Sequence, residues 1–445
     1  MTSNMTPSRL THTYSYLAAV DLISYVEEPR LPASVKSLAA SAFLAFIFIS
    51  LILPSGHIGP INVKLIFLIF VTIIILLSNV KVSSNYLIVA LCMSISAVVW
   101  LAIGIDDLVS IAMPIAQLKA IGVTMLIPMI TYVMLGNRML CPKNIYMTII
   151  YAVVFIGTAK LLLLLYAAIM HVGFIGLTQS IARYFNTEIM TMPIGGFLYR
   201  FEMPSDLAGP IAIYVLLLGK SFGLDRYFSK RFSYTMILLI IFTDFISYSR
   251  YIWADLVVAI IIASPYSRVA RQYVVSFGLL TGLIIVLDHA WIQSILSRFS
   301  SSATVISDNI RLEELPVLLK QFEIRPIFGH GLGFYAPTLV RDQHDKFSYE
   351  LQWVALLMQI GIVGVVGVIA LLTLVARPFL FSPFSKKKVT LLMMFILWIF
   401  SGFFNPYLTS SAAGAIFSFF VAAGYSLRHK HSNPPYARLH NASQR

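Results

Sequence analysis

The chain has 445 residues, 58% of them hydrophobic and 11% charged, with a mean hydropathy of +0.84. Soluble globular domains carry about 25% charged residues, so the composition excludes a soluble enzyme and puts the chain in a bilayer. The net charge of +13 does not read as nucleic-acid binding, because no soluble stretch interleaves a basic patch with aromatics.

Residues 1–34 read as a cytoplasmic N-terminal arm without the basic-then-apolar layout of a signal peptide. Apolar runs approaching the roughly 20 residues of a spanning helix then recur. They lie near 35–54, 61–79, 84–104, 108–135, 144–170, 204–222, 233–249, 251–264 and 273–290, then 351–376, 389–404 and 409–426. The fold expected is therefore all-α, a polytopic transmembrane bundle of about twelve spans. The breaks, among them Pro54-Ser55-Gly56, Gly136-Asn137-Arg138 and Asn405-Pro406, are turn chemistry. The spans on either side of Arg250 are so close that they predict a tight hairpin. Organisation follows: a bundle over 35–290 with an outer loop at 171–203, a large and partly helical outer loop over 291–350, three spans over 351–426, and a tail over 427–445. Cys92 and Cys141 predict no disulfide, and no Cys/His cluster has metal-ligand spacing.

Lys/Arg asymmetry sets orientation. With the N-terminus inside, 20 of the 32 basic residues fall on the inner side, nine on the outer side and three (Lys64, Lys119, Lys160) within spans. Both termini are expected in the cytoplasm, and the polar stretches 171–203 and 291–350 outside.

The outer basic residues run against that preference and so mark candidate chemistry. Arginine keeps its charge and offers a rigid donor fork suited to phosphate oxygens. Arg250, in Ser249-Arg250-Tyr251, sits between two apolar runs, where an ionisable group is costly. Asp244 and Asp255 are its nearest expected counter-charges. Arg200 precedes the sixth span in Tyr199-Arg200-Phe201-Glu202, with Glu202 or Asp206 as a structural partner. In the large loop, Arg311 opens a predicted amphipathic helix with Leu312, Leu315, Leu318/Leu319 and Phe322 at helical spacing, and Glu314 is its local ion-pair candidate. Arg325-Pro326 then leads to Gly329-His330-Gly331-Leu332-Gly333, whose glycines permit positive φ or close backbone approach. His344, Tyr349 and Glu350 follow. Glu350 stands at the start of a helix, where the dipole favours a carboxylate; the alternative is a base at the membrane surface.

Together these residues resemble the O-antigen polymerase and O-antigen ligase superfamily. The resemblance rests on Ser249-Arg250 on a hairpin, Arg311 on a loop helix, Pro326 before Gly329-His330-Gly331-Leu332-Gly333, and Gly361-Ile362-Val363-Gly364, and it covers roughly residues 249–367. It implies a multi-pass GT-C-type glycosyltransferase of the bacterial inner membrane, without metal or cofactor, acting on undecaprenyl-diphosphate-linked oligosaccharide at the periplasmic face. A chain-length regulator and a flippase are the implied partner proteins. Eleven residues before Gly361, where the ligase branch has a catalytic histidine, this chain has Glu350, which is in keeping with polymerases. The expected site has Arg250, Arg311 and Glu350 as catalytic groups. Arg200, Arg325, Gly329, His330, Gly331, Gly333, His344 and Tyr349 are expected to bind substrate. Two alternatives stay open: a ligase moving finished glycan onto lipid A core, and a transporter or flippase using Lys64, Lys119 and Lys160.

Overall fold

Hydrocarbon offers backbone N–H and C=O groups no water, so the long Leu/Ile/Val/Phe runs must satisfy their own hydrogen bonds as helices. The computed structural model describes residues 32–287 and 302–432, apart from 54, 60, 78–79, 81, 83, 108–110, 188, 196–197, 342 and 344. The N-terminal arm, the start of the large loop, His344 and the end of the tail lie outside these residues.

The helices are α1 (Ala33–Ile52), α2 (Val63–Leu77), α3 (Ser84–Asp107), α4 (Ala112–Gly136), α5 (Pro142–Met170), α6 (Phe174–Phe185) and α7 (Ala208–Leu217). They continue as α8 (Lys230–Ile246), α9 (Arg250–Ala263), α10 (Arg268–Leu287), α11 (Ser302–Ile324), α12 (Gln352–Leu380), α13 (Lys386–Phe400) and α14 (Ser411–Ser432). Each apolar run expected to span is helical. Only five helices among the described residues are long and apolar enough to cross a membrane: Ser34–Ile52, Tyr86–Asp106, Ala112–Gly136, Pro142–Met170 and Gln352–Leu380. The hairpin helices α8 and α9 have 17 and 14 residues, about 21–26 Å of rise against a hydrocarbon core of about 30 Å.

The expectation of a purely helical chain needs one correction. Two small antiparallel hairpins occur, β1 (His57–Ile58) with β2 (Ile61–Asn62), and β3 (Met190–Gly195) with β4 (Leu198–Glu202). The cause in β4 is period-two alternation. Tyr199 and Phe201 turn inward onto Phe174 of α6, at 4.9 and 5.6 Å between ring centroids, while Arg200 and Glu202 share the other face.

The centre of the bundle is α14, whose residues Ala412, Ala413, Ala415–Phe417 and Phe419–Ala423 are all buried. Its small residues let neighbours approach closely, which is how helices associate in lipid. It packs on α4, α5 and α12; Gly414 lies against Ile127, and Thr131 Oγ1 donates to Ser418 Oγ at 2.8 Å.

The predicted tight hairpin is present. Ser247, Tyr248 and Ser249 join α8 to α9, and Tyr248 takes φ +54°. Beneath it Lys160 of α5 is buried against Asp206, with Nζ at 2.7 Å from both carboxylate oxygens and 2.8 Å from the Phe201 carbonyl. Asp244 and Asp255 are also buried, and the Asp244 carboxylate lies where a Cβ on Gly209 of α7 would stand. They face the bundle interior, so neither is the counter-charge of Arg250.

α12 is broken where it meets the outer loop. Gly361 has φ +63° and ψ −172°, which interrupts the helix's own hydrogen bonding. The loop supplies four partners there: Ile362 and Val363 donate to the carbonyls of Pro326 and Ile327, and the carbonyls of Met358 and Gln359 accept from His330 and Gly331. Leu332 N donates to the Trp100 carbonyl of α3, and Trp100 Nε1 donates to the Phe328 carbonyl at 2.8 Å. Residues 326–333 are thus a segment pinned between α3, α4 and α12 by paired backbone groups, buried from Gly329 to Gly333.

Breaking a buried ion pair strands a charge. Lys160→Met or Asp206→Leu alone should therefore lower the unfolding free energy in detergent by ~3–5 kcal/mol, and the double substitution should recover most of it. Thermal unfolding of the purified variants measures this.

Candidate active site

The charges expected to carry chemistry meet where three elements end. Arg250 is the first residue of α9, Asp308 and Arg311 lie on one face of α11, and Glu350 sits just before α12. Arg250 grips Asp308 with both ends of its fork: Nη2 is 2.8 Å from Oδ1 and Nη1 is 3.3 Å from Oδ2. Arg311 Nη1 is 3.2 Å from the same Oδ1, and its Nη2 is 2.8 Å from Glu350 Oε2. One carboxylate therefore bridges two arginines 61 positions apart in the chain, and the second arginine hands on to a further carboxylate. Arg311 Nη2 also donates to the Phe404 carbonyl at 3.3 Å, with the guanidinium over the Phe404 ring. Phe404 in turn stacks on Tyr251, the neighbour of Arg250. Arg311 Nε is buried and has no hydrogen-bond partner among the described residues, which leaves a donor to spare.

Arg200 joins the same region from the β3–β4 hairpin. It pairs with Glu202, two residues along the strand and on the same face, and its Nε donates to the Ser247 carbonyl at 3.3 Å, in the turn that presents Arg250. Tyr407 donates to Glu202 from the segment that carries Phe404. Arg200, Arg250 and Arg311 are matched by Glu202, Asp308 and Glu350, so the site is charge-balanced rather than simply cationic. Asp308 is the most exposed of the four linked groups, at 49% against 26%, 22% and 33% for Arg250, Arg311 and Glu350.

The two carboxylates on Arg311 are held in opposite states. Hydrogen bonds from Arg250, with the charge of Arg311 in support, keep Asp308 below the usual carboxylate range. Burial pushes Glu350 above it; Glu314 adds to that push, and Arg311 and Arg341 oppose it. A pair of acids driven apart in this way suits one fixed anion and one proton acceptor.

Several expected residues have other work. α11 begins at Ser302, so Arg311 lies well inside the helix and does not open it. Glu314 does not pair with Arg311. It is fully buried, accepts from Arg341 Nε at 3.2 Å, and takes the Leu351 N–H at the start of α12 at 3.2 Å. Glu314 thus fills the helix-start role expected of Glu350, and so frees Glu350 for Arg311. Gly329, Gly331 and Gly333 have φ of +70°, +90° and +77° and press backbone against α12, α3 and α4 respectively. His330 is buried, stacked on Phe334 at 4.0 Å, with Nε2 3.0 Å from the Gln321 carbonyl. Tyr349 is buried too; its hydroxyl accepts from Ala336 N and donates to the Leu339 carbonyl, and burial pushes the phenol up to about 12. Arg325 is exposed at the end of α11, where its carbonyl accepts from Gly329 N. The catalytic set expected from sequence is brought together; Arg325, the glycines, His330 and Tyr349 belong to the scaffold around it.

Asp308 and Glu202 complete the site and carry no motif. Asp308 stands three residues before Arg311, a visible helical pair, but nothing in the sequence links it to Arg250. Both cysteines are free, and no group of His, Cys, Asp and Glu among the described residues has the arrangement of a metal site. No known protein family matches the chain, and no curated protein matches it either.

Glu350 should titrate above the ordinary carboxylate range. Isotope-edited infrared spectra of ¹³C-Glu protein should show a carboxylate band that disappears as pH falls through that raised value and is missing in Glu350→Gln. Arg311→Met removes the charge that opposes burial, so it should move the band's midpoint further up; a downward move would contradict this electrostatic account.

Proposed function

We propose that the protein is a polysaccharide polymerase, an integral-membrane glycosyltransferase that joins oligosaccharide units carried on undecaprenyl diphosphate. What most supports this reading is Asp308 held between Arg250 and Arg311, with Glu350 on the second arginine. Two forked cations on one exposed carboxylate are spaced for one doubly charged group. In the proposal the donor diphosphate replaces Asp308 on that pair.

Transfer then makes and breaks one bond each. An acceptor sugar hydroxyl oxygen forms the new C–O bond at the donor's anomeric carbon, while the bond from that carbon to the diphosphate oxygen breaks. The electron pair leaves on the diphosphate, which stays on its lipid. Arg250 and Arg311 meet the growing negative charge; preorganised cations at such a point are commonly the largest catalytic contribution. The hydroxyl proton passes to Glu350, whose affinity for protons burial raises above that of an ordinary carboxylate. Arg200 supports the turn behind Arg250. The proposed setting is the bacterial inner membrane, with twelve spans, both termini in the cytoplasm and the site on the periplasmic side. A chain-length regulator and a flippase are the proposed partners.

Arg250→Ala or Arg311→Ala should lower turnover of a defined undecaprenyl-diphosphate oligosaccharide by ~10²–10³ and leave single units in place of polymer on gels of surface polysaccharide. Polymer that persists but accumulates on the carrier lipid would identify a ligase instead. Loss of activity on adding a chelator would contradict a mechanism carried by arginines. In wild type the acid limb of kcat/KM should lie above the ordinary carboxylate range, because Glu350 accepts a proton only when ionised. Glu350→Gln should abolish that limb and lower kcat by ~10²–10⁴.

A further inference from the structure

α11 carries a second feature along the line that holds Asp308. Residues 308, 312, 315 and 319 follow at helical intervals, and Leu312, Leu315 and Leu319 are 66%, 39% and 37% exposed. The docked flank lies about 90–130° round the helix on one side, with Glu314 and Leu318 both at 0%. The exposed strip is therefore extra to the packing of the loop. Glu313 and Lys320 lie about 110–130° round the helix on the other side. Below Leu319 the line meets Glu323, and exposed Ile324, Ile327 and Phe328 continue the apolar surface at the helix end.

The strip also descends. Its upper end is level with Arg250 and Glu350, at the outer ends of α9 and α12. Just past its lower end, the Pro326 and Ile327 carbonyls accept from Ile362 and Val363, ten and eleven residues into α12 and so about 15 Å along that helix. The Phe328 carbonyl is tied to Trp100, six residues before Asp106 closes the apolar stretch of α3. The apolar line thus runs from the two arginines that share Asp308 down the flank of the bundle to the break in α12. A ligand complementary to both ends has a diphosphate head and a hydrocarbon tail.

We infer that Leu312, Leu315 and Leu319 form the track for the isoprenoid chain of a lipid diphosphate whose head sits on Arg250 and Arg311. This deepens the proposed function and rests on it for the identity of the head group. The track gives the site a preference for lipid-linked over chain-free diphosphates, because each leucine adds apolar contact to the chain. It also places the scissile bond at the membrane surface, since head and tail are held by one rigid helix.

The test uses the full chain, purified in proteoliposomes, with p-benzoylphenylalanine replacing Leu315 or, about 160° away round the helix, Glu313. Undecaprenyl diphosphate should crosslink from position 315 and much more weakly from 313. Inorganic pyrophosphate should compete, Arg311→Ala should weaken the crosslink, and undecaprenol, which lacks the head, should not replace it. Equal labelling from both positions, labelling by bulk phospholipid or undecaprenol alone, a crosslink to a second copy of the chain, or no crosslink would each overturn the track. In turnover, Leu312→Ser/Leu315→Ser/Leu319→Ser should raise KM about tenfold for an undecaprenyl-linked donor and leave it unchanged for a donor whose diphosphate carries a methyl group in place of the lipid. Equal KM values for the long donor in wild type and triple variant would overturn the track while leaving sugar transfer intact. Specific crosslinking without any sugar transfer would do the reverse, sinking the proposed reaction and keeping the lipid site.

Discussion

The break in α12 at Gly361 is the constraint from which the outer architecture follows. A helix interrupted inside a membrane protein leaves peptide groups that lipid cannot satisfy, and here the loop segment 326–333 supplies partners to four of them. That exchange cannot form at another register, because Gly329, Gly331 and Gly361 all need positive φ and backbone closer than a side chain permits. Once the segment is seated, the end of α11 is fixed against α3 and α12, and Glu314 ties the middle of α11 to the start of α12. Arg311 then has one place to point, toward Glu350 and the turn that carries Arg250.

Two kinds of buried polarity serve two purposes. Lys160 with Asp206, beneath the hairpin, is a closed pair: every donor direction is answered and solvent does not reach it. Such pairs position structure, and in this case they join α5 to the chain entering α7. The cluster around Asp308 is open by comparison. Its charges balance, yet its central carboxylate is half exposed and one guanidinium N–H donates to nothing described. A balanced but replaceable anion costs little to displace when a stronger, doubly charged one arrives, because the arginines are already desolvated and aimed. The opposed displacements of Asp308 and Glu350 come from the same geometry, since Arg250 reaches only the first and burial weighs on the second.

Much of the fold was readable along the chain. Hydropathy marked most of the helices though not α6, the closeness of the two apolar runs around Arg250 marked a tight hairpin, and the positive-inside bias picked out Arg200, Arg250 and Arg311 as residues in unusual places. Other readings failed for identifiable reasons. The β3–β4 hairpin was hidden in a short polar stretch because its alternation spans only a few residues. The glycine run looked like a ligand loop, since positive φ serves a bound group and a close-packed backbone equally well. Asp244 and Asp255 seemed natural partners for Arg250 by nearness in sequence, yet helical rotation turns both toward the bundle interior.

By itself the sequence determined that the chain is rich in long apolar helices of the kind that cross membranes and singled out Arg200, Arg250 and Arg311, because both follow from local composition and from the cost of placing polar groups in hydrocarbon. Only the tertiary structure decided that Asp308 answers two of those arginines, that Glu314 displaces Glu350 from the helix start, and that α11 keeps an apolar line exposed. Those outcomes depend on how the broken α12 receives the loop. Hydrogen-bond partners between residues far apart in the chain are set by that docking, and no local pattern encodes them.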